Sequence, residues 1–172
     1  QIKVLSGASD ASLPVNDVVD DIPVRRVAAP KSLLQQYTYW KSIDQYIKTH
    51  RKQFDIVHSH GFQPRVNIAA RRVGLPIVQK ITSMDLDDPV AVRRRRLGML
   101  KSKIYQMSDV VIPTSGMLED IAKKSFLPGH KIIRIPNGVV TDHFSALDDE
   151  AKFEQRRALG RSEEHTSELQ SP

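Results

Sequence analysis

The sequence predicts an α/β domain built on a doubly wound parallel sheet, and three observations predict it. Short β-branched runs recur at residues 2–5, 23–27, 55–58, 77–81, 110–114 and 132–135. Most are separated by polar stretches long enough for a helix. The runs are nearly continuous in apolar residues, as expected of parallel strands covered on both faces.

The helices follow from their start and stop signals. Residues 31–52 place Leu33, Leu34, Tyr37, Trp40, Ile43 and Ile47 at spacings of three and four, an apolar stripe on a long helix. A shorter helix over 67–73 ends at Gly74 and Pro76. Asp88 followed by Pro89 reads as an N-cap and first helical position, opening a helix through four arginines to about Met107. Ser115 caps the next helix, with Glu119 and Asp120 near its positive end and Pro128-Gly129 as its stop. A last helical pattern, 151–160, ends in Gly160.

At 172 residues and 40% apolar content the chain has room for one core. It has no cysteine, which excludes a disulfide scaffold and a Cys-based zinc site and suits a reducing compartment, so the cytoplasm is the expected location. No apolar run approaches the roughly 18 to 20 residues that span a bilayer, and Gln1-Ile2-Lys3-Val4-Leu5 is not a signal peptide. Residues 161–172 resemble the in-frame translation of a sequencing adapter, the alternative being an ordinary polar tail. The expected boundaries are therefore 1–160 for the domain and 161–172 for the tail. Without Arg161 and the three glutamates of that tail the formal charge rises from +6 to +8. So basic a surface favours anionic partners, among them phosphorylated substrates and acidic lipids.

Three blocks carry a family pattern. They are Asp55-Ile56-Val57-His58-Ser59-His60-Gly61, Ser108-Asp109-Val110-Val111-Ile112-Pro113-Thr114-Ser115, and Ile132-Ile133-Arg134-Ile135-Pro136-Asn137-Gly138-Val139 leading to Asp142 and Phe144. In that order they resemble the N-terminal, acceptor-side domain of family 4 retaining glycosyltransferases. The resemblance implies one Rossmann-like half of a GT-B fold, with the family's first strand and helix and its whole second domain missing. The second domain holds most of the nucleotide-sugar site, so the chain alone is expected to be inactive.

The resemblance implies His60 at the sugar-transfer centre, where the bland alternative is a solvent-facing loop histidine. His58 is expected at the last buried strand position, held within the sheet. Lys80 followed by Thr82 and Ser83 departs from the usual T-x-H-G-x-D of the family, with Lys80 facing an anionic group or simply snorkelling at a strand end. Thr114, Asn137 and Gly138 complete the implied substrate-binding set. In an open parallel sheet ligands sit beyond the carboxyl ends of the strands, where His58, His60, Thr114 and Asn137 are expected to fall. Sugar transfer there needs imidazole, amide and backbone N–H groups in one cleft, and Pro136-Asn137-Gly138 supplies a turn open to positive φ.

No metal or cofactor is implied. The implied partners are a nucleotide-sugar donor and a sugar or lipid-linked acceptor. Arg93, Arg94, Arg95 and Arg96 would spread around a helix as a solvated face or engage an anionic membrane from the cytoplasmic side. The run lacks the aromatic interleaving of a nucleic-acid site. The expected function is transfer of a hexose to an acceptor hydroxyl with retention, in cell-surface glycan or glycolipid synthesis. A non-catalytic α/β binding module and a sugar-nucleotide epimerase of the same fold are the alternatives.

Overall fold

The computed structural model describes residues 2–8, 10, 12–139, 141 and 148–160. The chain divides into a unit of residues 1–136 and a unit of residues 137–172, and each is described by itself. Among its described residues the second unit has one helix, α6 (Asp149–Ala158), whose first turn is capped by the Asp148 carboxylate accepting from the Ala151 amide. Gly160, at φ +64°, follows its end as the sequence predicts.

The first unit is α/β, with two three-stranded sheets. In the first, β1 (Val4–Ala8) pairs in parallel with β3 (Ile22–Ala28), and β2 (Asn16–Val19) pairs antiparallel with β3. The β2–β3 hairpin is absent from the sequence reading, because Asn16-Asp17-Val18-Val19 carries little apolar signal. Its tight turn is made by Asp20 and Asp21, both at positive φ (49° and 61°), the backbone a two-residue hairpin requires.

The second sheet is fully parallel, in the order β4 (Val57–His60), β5 (Ile77–Ile81), β6 (Val110–Pro113). The predicted strand at 132–135 runs beside β6, where it forms a single parallel bridge, Val111 to Ile132, extended by amide bonds from Ile133 to Val111 and Ile135 to Pro113. The start of β5 is clamped to that of β6. Asp109 accepts from the Ile77 amide at 2.8 Å and from Arg71 at 3.0 Å. Burial works against the charged carboxyl of Asp109, but these donors hold its pKa below the ordinary value.

Helix α1 (Leu33–Thr49) starts where the Ser32 hydroxyl accepts from the Gln35 amide and passes into a short 3₁₀ turn, Arg51–Gln53. The predicted stripe is buried only at its C-terminal half. Ile43 and Ile47 are in the core, whereas Leu34, Tyr37 and Trp40 are exposed. Helix α2 (Pro64–Arg72) closes in a Schellman motif: Leu75 donates to the Ala70 carbonyl and Gly74, at φ +69°, to that of Arg71. Both helices join Leu75 and Ile77 in one apolar cluster.

The long helix expected from Asp88 to Met107 is two helices. Asp88 caps α3 (Pro89–Arg94) through the Ala91 amide, as predicted. Arg95 is then extended, Leu97 turns to φ +60°, and α4 (Gly98–Tyr105) begins. A Cβ at Gly98 would lie 1.8 Å from the Arg93 carbonyl oxygen, so only glycine permits this close turn. Only Arg93 and Arg94 of the arginine run are therefore helical. Helix α5 (Gly116–Lys123) is capped by Ser115 and ends before Pro128-Gly129. Val92, Tyr105, Leu118, Ala122 and Leu127 close a second cluster over Ile81 and Val111.

Candidate functional site

Strands β4, β5 and β6 end in step, because His60 pairs with Lys80 and Ile81 with Pro113. Gly61, Thr82 and Thr114 therefore follow one another along the carboxyl edge of the sheet. This is where an open parallel sheet receives its ligand.

Alternation along β4 decides which side chains reach that edge. Ser59 is buried, while His58 and His60 are both exposed. The expectation of a buried, sheet-held His58 is thus corrected: the polar but small Ser59 takes the inward position, and the two imidazoles share the outer face. Their ring centroids are 4.6 Å apart at an interplanar angle of 35°. Partial burial, with the charges of His60 and Lys80 beside it, holds the His58 imidazole below its ordinary pKa.

The turn after His60 is rigid. Gly61 takes φ +71°, and its amide donates to the Lys80 carbonyl at 3.0 Å. Its own carbonyl accepts from the Ser59 hydroxyl at 3.1 Å and from the Gln79 amide group at 2.5 Å. Gln79, fully buried, also accepts from Asn67, which donates in turn to Ser108. This polar chain runs beneath the sheet and leaves the Asn67 side-chain oxygen without a partner among the described residues.

Lys80 is half-buried at the penultimate position of β5, directly paired with His60. Thr82 is exposed and Ser83 half-buried, and both are held by Asp87. One oxygen of Asp87 accepts from the Thr82 amide at 2.9 Å and hydroxyl at 2.8 Å; the other accepts from the Ser83 amide at 2.8 Å and hydroxyl at 3.1 Å. The Tyr105 hydroxyl donates to the Asp87 carbonyl at 3.1 Å, and burial, reinforced by Asp87 and Asp88, pushes its phenol pKa well up. With its proton directed at Asp87, the Thr82 hydroxyl can only accept from a ligand. A Cβ at Gly61 would lie 3.3 Å from an Asp87 oxygen and 3.6 Å from the Thr82 hydroxyl, so this loop and the His60 turn abut.

The predicted residues His60, Lys80 and Thr82 are thus brought together. Thr114 stands on the neighbouring strand end, its hydroxyl donating to the Ile81 carbonyl at 3.4 Å. Asn137 and Gly138 are exposed in the second unit, while Asp142 and Phe144 lie outside the described residues. Sequence reasoning missed Asp87, Gln79, Asn67 and Ser108. The only trace of Asp87 was its place beside the helix cap Asp88. A cavity of about 880 Å³ lies elsewhere, lined by Arg25, Arg26, Tyr46 and His50, and contains none of the predicted residues. Among the described residues no group of three His, Cys, Asp or Glu could hold a metal ion, and no helix is long and apolar enough to cross a membrane.

Similar architecture recurs in solved proteins. The Anabaena protein HepE in complex with UDP-glucose matches with a TM-score of 0.55 at 14% identity over 81% of this chain and 37% of its own. A sucrose-phosphate synthase from Thermosynechococcus elongatus matches with a TM-score of 0.54 at 14% identity over 92% and 85%. The UDP-N-acetylglucosamine 2-epimerase of Rickettsia bellii matches with a TM-score of 0.50 at 19% identity over 80% and 36%. The chain spans little more than a third of the HepE and epimerase chains. These likenesses establish a Rossmann-like fold of the GT-B type. No curated protein matches the chain in sequence. The family described as the glycosyl transferase 4-like domain matches residues 1–138, and the chain belongs to that family.

Proposed function

We propose that this chain forms the acceptor-side wall of a retaining glycosyltransferase that moves a hexose from a nucleotide sugar to an acceptor hydroxyl. The observation that carries the reading is the junction of the His60–Gly61 turn with Lys80 and the Asp87-held Thr82, at the carboxyl edge of a parallel sheet. His60 stands at the transfer centre. Lys80 offers positive charge to the leaving diphosphate, and Thr82 and Thr114 accept from sugar hydroxyls. HepE binds UDP-glucose, which supports a nucleotide-sugar partner. On this reading the chain needs a second wall to turn over a donor and is inactive alone. It works in the cytoplasm on a glycan or glycolipid acceptor, with Arg93 to Arg96 turned to the inner membrane surface.

The test is product analysis with a labelled nucleotide sugar, using the longest reading frame that contains this chain. Transfer of label to an acceptor supports the reading. Conversion of the donor to its epimer, with no transfer, would replace it with the epimerase alternative. Neither product would sink both.

A further inference from the structure

The junction between α3 and α4 places cations and bare apolar side chains together. Leu97 is 63% exposed, Met99 70% and Leu100 54%, and Arg93 to Arg96 immediately precede them. Helix α4 buries Gly98, Ser102, Ile104 and Tyr105, which leaves Met99, Leu100 and Lys103 on its outward side. Single exposed apolar residues are ordinary, but three in four positions beside a cationic run are not.

The charges there are unneutralised. Arg26, Arg65, Arg71, Arg72, Lys123, Arg134 and Lys152 each pair with a carboxylate. Among the described residues no carboxylate pairs with any of Arg93 to Arg96, Lys101 or Lys103. Arg93 is stacked on Phe126 at 5.9 Å, and Arg95 donates to the Asp85 carbonyl at 2.6 Å. The turn is also stiff, since Leu97 sits at φ +60° and Gly98 is wedged against the Arg93 carbonyl. Leu97 therefore stays outward.

Phosphate headgroups satisfy guanidinium groups while the acyl boundary receives leucine and methionine, the pairing used by interfacial segments. We propose that the α3–α4 junction is a membrane-docking wedge: Leu97, Met99 and Leu100 enter the acyl boundary of an anionic leaflet, and Arg94, Arg95 and Arg96 hold its phosphates. The Arg95–Asp85 bond ties the wedge to the loop that carries Thr82. Resting on the transferase reading, this names a lipid-linked acceptor delivered to the carboxyl edge from the docked surface.

The test is sedimentation of the full chain with phosphatidylcholine vesicles, with and without a third of phosphatidylglycerol. The chain is expected on the anionic vesicles only. Removing Arg94, Arg95 and Arg96 together by Ala substitution weakens binding about fivefold per charge, with the far-ultraviolet circular dichroism unchanged. Leu97→Trp, in a Trp40→Phe background, shifts its emission to the blue on binding. Equal binding to neutral vesicles, an unaffected arginine variant, or binding without the blue shift would overturn the wedge. So would tighter capture by polyglutamate, which would point to an acidic protein. Failure here leaves transfer to a soluble acceptor standing, and failure of transfer leaves vesicle binding standing.

Discussion

Asp87 and Thr82 are joined twice, one carboxylate oxygen accepting from both the Thr82 amide at 2.9 Å and its hydroxyl at 2.8 Å. Since Asp87 treats Ser83 the same way with its other oxygen, one buried side chain fixes the loop that follows β5.

Asp87→Ala removes an acceptor shared by four donors and strands two backbone amides at the loop. The expected cost is about 2 kcal/mol in urea unfolding, with Asp87→Asn costing less because it keeps one acceptor oxygen. An unchanged midpoint for the alanine variant would show that water replaces the carboxylate freely.

Gly61→Ala forces a side chain into a left-handed backbone (φ +71°) with its Cβ 3.3 Å from an Asp87 oxygen. A loss of about 1 to 2 kcal/mol in thermal unfolding is expected, from the backbone conformation and the tight contact together. A neutral result would mean that the His60 turn has room to shift.

Much of this scaffold was legible in the sequence, and the exceptions have physical causes. Five of the six predicted strand runs overlap observed strands, and the sixth, 132–135, reaches a single bridge. The caps Ser115 and Asp88 act where their residue types place them, because a cap is a local bond over three residues. The Asp20-Asp21 turn was illegible because its residues lack the glycine that usually announces positive φ. The α3–α4 break was hidden too, since helical periodicity passes through Arg95 and Leu97 unchanged and the tight approach of Gly98 to Arg93 exists only in three dimensions. Asp87 was missed for the converse reason, its acidic neighbour Asp88 having an obvious role.

His58 gives a pH dependence whose sign follows from its lowered pKa. The folded state binds this proton less readily than the unfolded chain does. Its contribution is therefore complete above the ordinary value of 6.5 and is lost as pH falls through it toward the folded pKa. Urea midpoints are expected to drop over that window, less so in His58→Gln, and imidazole resonances should titrate lower for His58 than for a free histidine. A raised titration would contradict the partial burial of His58 beside His60 and Lys80.

His60→Ala, in a frame that supports transfer, is expected to lower the rate by about a hundredfold or more while leaving stability nearly unchanged, since the ring is exposed. Initial-rate measurements decide it. A rate within severalfold of the parent would remove His60 from the transfer centre.

The in-and-out order Val57, His58, Ser59, His60 bears on how the strand finds its partner as well as on chemistry. Slipping β4 by one residue against β5 would turn both imidazoles inward onto Gln79 and Asn67 and push Ser59 out. Two bulky polar rings would then lose their water with nothing to bond, so the misaligned pairing is penalised by the residues that equip the edge. Replacing both histidines together by large apolar residues would lower that barrier, whereas a single substitution leaves one imidazole to hold the register.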